Sequence, residues 1–207
     1  MRAMSVSSRR SSCSAIEAVC GRLGLRFRRA PSDHAGGKWR LSYVTVTGRP
    51  GALELDLNFL LRTPLWPHVA SGSRPVGTFA AADVPILDLH ELAAGKLAAL
   101  FARNASRDLF DARELLRRGR LDRERLRLGF VVYGGVNRRD WREVSRDDVR
   151  TTPDEVNRSL VSMLRADIAP PRDRIAEWTR ELVEDCRELL SMVLPLDRQE
   201  REFLDAP

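Results

Sequence analysis

Lys96 is the residue of this sequence whose placement most needs a chemical reason. It lies within Asp88 to Asp111, where Leu89, Leu92, Ala93, Leu97, Leu100 and Phe101 recur at helical spacing. A lysine is seldom buried without a partner. It either snorkels from the edge of the stripe or faces a cleft where an anion sits. Arg103, Arg107, Asp108 and Asp111 follow within a few turns. Cations beside two carboxylates near a helix end are a grouping that phosphate chemistry uses. Asp108 and Asp111, three apart, share a helical face on which Arg107 can pair with either. Acids at that place also serve as favourable charges at a helix start, an account that covers Asp111 less well because it lies a turn inside.

A second pair of acids, Glu54 and Asp56, lies two apart on a strand and projects from one face. Such carboxylates repel unless a cation bridges them, and Mg2+ takes hard oxygen ligands of this kind. The same pattern is also the ordinary solvated face of an antiparallel sheet. His34, His68 and His90 are scattered with no zinc-type spacing. Gly36-Gly37 and Gly134-Gly135 lack the spacing of a phosphate-cradling loop, and no Gly-x-Ser-x-Gly elbow is present.

The elements that must position these residues are legible in outline. Met1 to Ser12 is Ser/Arg-rich and expected to be disordered, and Ser14 to Leu25 reads as a short helix stopped at Gly24. Trp39 to Thr47 and Ala52 to Leu61 read as an antiparallel hairpin turning at Gly48 to Gly51. Its alternation points Leu53, Leu55, Leu57 and Phe59 one way and Glu54, Asp56 and Asn58 the other, with Leu53, Leu55 and Leu57 expected buried beneath helices and Glu54 and Asp56 on the open face. Val84 to Leu87 is a short strand, with Pro85 keeping it at an edge. Asp88 and Glu91 form a capping pattern for the Lys96 helix. Further helices are expected over Asp108 to Arg117, Leu121 to Tyr133 with a break at Gly129, Pro153 to Leu164, and Arg172 to Met192. A β-rich front and an all-helical rear predict an α+β fold.

The chain has 207 residues, 43% of them hydrophobic and 31% charged, which fits a globular protein. No apolar run approaches a membrane span, and no apolar segment follows the basic start as in a secretory signal. Three cysteines without metal spacing point to a reducing cytoplasm. The net charge of +6, mostly arginine, suits a polyanionic partner; an Arg-, Ala- and Leu-rich composition also follows from a GC-rich genome.

At these residues the chain resembles the AbiEii/AbiGii-type nucleotidyltransferase toxins of bacterial toxin–antitoxin and abortive-infection systems. The similar parts are Leu53-Glu-Leu-Asp-Leu-Asn58, the Arg-x-Pro-Leu-Trp of Arg62 to Trp66, the Leu-His-Glu-Leu-Ala-x-x-Lys-Leu helix, and Arg107-Asp-Leu-Phe-Asp111. The resemblance implies a polymerase-β-like nucleotidyltransferase core followed by a helical C-terminal region. Its expected divisions are a disordered 1–13, a partial nucleotidyltransferase-like domain at 14–118 and a helical domain at 119–207. Such cores hold Mg2+ on three carboxylates around an NTP. Asp56 matches the third carboxylate, with Glu54 as a further metal ligand. Lys96 matches the lysine that contacts the triphosphate. Asp108 and Asp111 match the acidic motif after that helix, Asp108 being the better candidate for catalysis beside Asp56 and Lys96. Arg103, Arg107 and Asp111 join Lys96 as substrate-binding residues. Lys96 is accordingly expected near Asp56 and Asp108. The resemblance implies NMP transfer to an acceptor such as tRNA and a cognate antitoxin partner. The family's first motif, a Gly-Gly or Gly-Ser turn followed by an Asp-x-Asp strand, is missing before Glu54. The implied core is therefore incomplete, and the expectation is a truncated gene, a mis-called start or a decayed copy, with little or no activity in the chain alone. The alternative is a non-catalytic basic module that binds RNA or an antitoxin.

Overall fold

Alternation of leucine and acid from Leu53 onward produces a strand, as the sequence predicts. In the computed structural model, which describes residues 6–29, 36–58, 63–75 and 77–205, the chain divides into two units, Met1–Thr63 and Pro64–Pro207. The first unit holds helix α1 (Val6–Leu23) and strands β1 (Arg26–Arg29), β2 (Gly36–Val44) and β3 (Pro50–Asn58). The strands form an antiparallel sheet in the order β1-β2-β3, with Trp39 opposite Leu55 and Lys38 opposite Asp56. The turn falls earlier than expected. The Thr45 N–H donates to the Arg49 carbonyl at 2.8 Å, and Gly48 takes the left-handed conformation with φ 78°. Pro50 then opens β3, a position at the start of a strand where a missing N–H is tolerated.

Cys20, Trp39 and Leu41 are the core of this unit, with Ile16, Leu25, Leu55 and Leu57 packed against it. The expected burial of Leu53 is corrected: it is 49% exposed. Leu55 and Leu57 of the same strand pack against the core, whereas Leu53 lies nearer the turn and outside that packing. Phe59 to Arg62 and Asp33 lie outside the described residues. So do residues 1–5, while α1 begins at Val6, inside the stretch expected to be disordered. No proline or glycine stands between Val6 and Cys20 to stop a helix.

The second unit begins with a two-stranded hairpin, β4 (Val69–Ser71) with β5 (Val84–Ile86). Among the described residues six α-helices follow: α2 (Leu89–Arg103), α3 (Ser106–Arg118), α4 (Arg123–Gly135), α5 (Pro153–Ser159), α6 (Ile175–Leu189) and α7 (Arg198–Asp205). Leu97, Leu100, Phe101, Leu109, Leu126, Phe130, Trp141, Val156, Leu182 and Leu190 lie in their common core. The boundary expected at 118/119 falls within this core, because α2 packs against both α3 and α4. Gly129 does not break α4. A Cβ added there would stand 2.9 Å from the Ala94 Cβ, so the glycine lets α2 and α4 approach closely. The architecture is mixed α and β, with small sheets ahead of a helical body.

Candidate functional site

The corner between α2 and α3 assembles most of the residues selected from sequence. The Asp88 carboxylate caps α2, accepting the His90 N–H at 2.9 Å. The helix ends at Asn104, which adopts the left-handed conformation with φ 51° and returns its N–H to the Leu100 carbonyl at 2.8 Å. Asparagine tolerates this geometry better than most residues. Its Nδ2 donates to the Asp148 carbonyl at 3.0 Å, fixing the turn. Ala105 supplies no side-chain cap to α3. Glu155 of α5 acts instead, accepting the Ser106 N–H at 3.4 Å and the Thr151 hydroxyl at 2.8 Å. Burial alone would push the Glu155 carboxyl up, but the hydrogen bonds from Ser106 and Thr151 outweigh it and hold it below the usual glutamate range.

This turn sets α3 beside the last turns of α2. The Lys96 Nζ donates to Asp111 Oδ2 at 2.6 Å, with both side chains half-exposed. Arg103 grips Asp108 with two bonds, Nε to Oδ2 at 3.0 Å and Nη2 to Oδ1 at 2.9 Å. Asp108 is buried on the same stripe of α3 as Ala112 and Leu116. The bidentate fork is what makes a carboxylate tolerable there. Lys96 therefore pairs with Asp111, not with Asp108, although all line one cleft of about 560 Å3. Arg107 projects into the cleft and sets Nη1 at 3.6 Å from Met163 Sδ. Phe110, Leu160 and Leu164 complete the lining. Beyond the Lys96–Asp111 pair lies an apolar groove of about 530 Å3 lined by Leu89, Leu92 and Leu115.

Glu54 and Asp56 belong to the first unit. Both are exposed on one face of β3, as their spacing predicts. Their cations are cross-strand neighbours. Lys38 Nζ lies 3.5 Å from Glu54 and 3.9 Å from Asp56, and Arg40 Nε lies 3.0 Å from Glu54. Among the described residues no three His, Cys, Asp or Glu side chains gather so as to hold a metal ion. These residues by themselves do not fit a divalent-metal cluster, since the two carboxylates that share a face already have cationic partners.

Sequence reasoning missed the role of Glu91. It does not complete a capping box with Asp88. Its buried carboxylate accepts the Leu65 N–H at 3.1 and 3.0 Å, the Trp66 N–H at 3.4 Å and the Tyr133 hydroxyl at 2.9 Å. It thereby ties the Pro-Leu-Trp segment to α2 and α4. Burial and the neighbouring Glu91 push the Tyr133 hydroxyl up to about 12. His90 was likewise unassigned. Its Nδ1 lies 2.7 Å from Asp88 Oδ1, and its Nε2 accepts the Asp122 N–H at 2.9 Å, which leaves the proton on Nδ1. The available signal was a Glu and a His in the first turn of a helix whose stripe is apolar.

A family model described as nucleotidyl transferase AbiEii toxin, type IV TA system, matches residues 4–197. Among solved structures the chain is similar to MenT4, a nucleotidyltransferase toxin from Mycobacterium tuberculosis H37Rv, with a TM-score of 0.56 and 16% sequence identity. The likeness covers 87% of this chain and 61% of that one, so the chain spans less than two thirds of its structural relative. No curated protein matches the sequence. Among the described residues no helix is long and apolar enough to cross a membrane.

Proposed function

Because the chain belongs to the AbiEii family of nucleotidyl transferase toxins of type IV toxin–antitoxin systems, we propose that it handles NTP and an RNA acceptor such as tRNA. In this reading the cleft of Lys96, Arg103 and Arg107 binds phosphate. The observation that carries it is the balance of charge there: three cations face two carboxylates, and each carboxylate is already held by one cation. Lys96 has three donors and spends one on Asp111. Arg103 spends Nε and one Nη2 hydrogen on Asp108 and keeps its outer edge free. The acids thus orient the cations and leave donors for phosphate oxygens. Asp108 acts here by positioning Arg103, and Asp111 by positioning Lys96. Asp56 and Glu54, the metal ligands that the resemblance implies, stay outside this reading, because both already have cationic partners. The family generally uses a divalent metal, but the described carboxylates do not build its cluster.

A second reading is favoured by that same shortage of carboxylates: a module that binds RNA or an antitoxin in the cytoplasm without turnover. Incubating the 207-residue chain with each labelled NTP and total tRNA, with and without Mg2+, separates the two. With Glu54 and Asp56 both paired to cations, little or no label is expected to reach RNA, while NTP and RNA still bind. Robust magnesium-dependent transfer would remove the non-catalytic reading and show that Glu54 and Asp56 release Lys38 and Arg40. Failure of both NTP and tRNA to bind would remove the phosphate-binding cleft itself.

A further inference from the structure

The corner between α2 and α3 is tied down by side chains that lie outside the cleft. Arg103 closes α2 and Asn104 follows it in the left-handed conformation, so the direction of the Arg103 side chain depends on how that turn is held. Carbonyls in the last turn of a helix have no partner within the helix. Arg139, in the segment after α4, supplies one: its Nη1 donates to the Phe101 carbonyl at 3.3 Å. Its Nη2 lies 2.7 Å from Asp148 Oδ2. Asp148 ends the 3-10 turn Arg146–Asp148, and its Oδ2 also accepts the Ser145 N–H at 2.7 Å. The backbone carbonyl of the same Asp148 accepts Asn104 Nδ2. Arg187 of α6 holds the 3-10 turn from the other side, donating to the Val149 carbonyl at 3.1 Å and the Asp147 carbonyl at 3.3 Å. Burial would raise the Asp148 carboxyl, but Ser145, Arg139 and Arg150 outweigh it and hold it below the usual aspartate range. Asp148 thus stays ionised as the partner of Arg139 at neutral pH. Neither residue lines the cleft.

We infer that Arg139 and Asp148 are positioning residues of this cleft, holding the turn at Asn104 so that Arg103 meets Asp108 with its outer edge free. This role rests on the phosphate reading above and brings in residues from beyond α4. With the tether cut, the last turn of α2 frays and the Arg103 fork loses its fixed angle to α3. Lys96 lies about two turns deeper in α2 and keeps Asp111. The effect therefore falls on one cation of the cleft and spares the other.

The ligand-free full chain and its Arg139→Ala, Asp148→Ala and Asn104→Gly variants are compared through the proton–nitrogen NMR signals of their arginine Nε groups. Arg113 Nε, which donates to Asp185 of α6 at 3.0 Å, is the internal reference. In Arg139→Ala and Asp148→Ala the Arg103 signal is expected to leave its bonded position while the Arg113 signal keeps its own. Asn104→Gly retains the left-handed turn without the amide tether and should show the same loss, so it decides the matter if the other variants do not fold. An unmoved Arg103 signal, or equal displacement of the Arg103 and Arg113 signals, would overturn the positioning role. Pyrophosphate titration reads the consequence. Arg139→Ala is expected to bind about fivefold more weakly, with no further loss when it is added to Arg103→Gln. A further loss of the same size in that double variant would show that Arg139 does not act through Arg103, and would also overturn the role. Equal pyrophosphate affinity in the unaltered chain and Arg103→Gln would instead remove Arg103 from the phosphate reading, and the ligand-free signals then judge the positioning by themselves.

Discussion

A carboxylate as buried as that of Glu91 is stable only while its oxygens are supplied with donors. Two backbone N–H groups and the Tyr133 hydroxyl supply them. Glu91→Gln keeps the shape but turns one oxygen into a donor that faces other donors. It should lower stability by roughly 2–4 kcal/mol, read as an earlier urea midpoint; an unchanged midpoint would show that the cluster is not held this way. Tyr133 adds a pH dependence whose sign is fixed. Its hydroxyl is pushed from 10.0 to about 12 in the fold by burial and by Glu91. The neutral form is the stabilised one, so its contribution is complete below the unfolded value and is lost as pH rises from 10.0 toward about 12. Tyr133→Phe should remove that alkaline loss, measured by denaturation on either side of the window. A loss of equal size in the variant would assign it to other groups.

At the scale of elements, Gly129 sets two principles against each other. Helix propensity predicts that Gly129→Ala stabilises α4 by about 1 kcal/mol. The close approach to Ala94 predicts the opposite, a loss of about 1–3 kcal/mol from overpacking. We expect the loss, with partial rescue by Ala94→Gly in the double variant; a raised melting temperature in the single variant would contradict it. The N-terminus of α3 gives a prediction at acid pH. Glu155 is held below the usual glutamate range, so its stabilisation is complete above that range and is lost as pH falls through the lowered value. Glu155→Gln should flatten this acid limb, and an unaltered limb would remove Glu155 as the cap. The start of α2 at Asp88 and the stop of α1 at Gly24 were legible because caps and periodicity are local signals. Strand β1 was not, since Arg26 to Arg29 carries no alternation and is a strand by virtue of pairing with β2. Gly129 read as a break because a glycine signals weakness until its neighbour, Ala94, is known.

For the whole molecule, the cleft's residue types could be read in advance but its geometry could not. Lys96, Arg103, Arg107, Asp108 and Asp111 come from one continuous stretch. Which acid each cation takes depends on the left-handed turn at Asn104, and the apolar wall comes from residues 160 to 164, beyond α4. The unit Pro64–Pro207 carries its own continuous core. A fragment of residues 64–207 should therefore unfold cooperatively and retain pyrophosphate binding; a molten fragment would show that the first unit is needed for it to fold. Lys96 is the organising cation of the cleft proposed to bind phosphate. Calorimetric titration of pyrophosphate into the intact chain and its Lys96→Gln variant at matched salt tests it most directly. Loss of one charge-assisted contact predicts roughly tenfold to hundredfold weaker binding in the variant, with an unaltered unfolding transition. Equal affinity in the two proteins would remove Lys96 as a phosphate-binding residue.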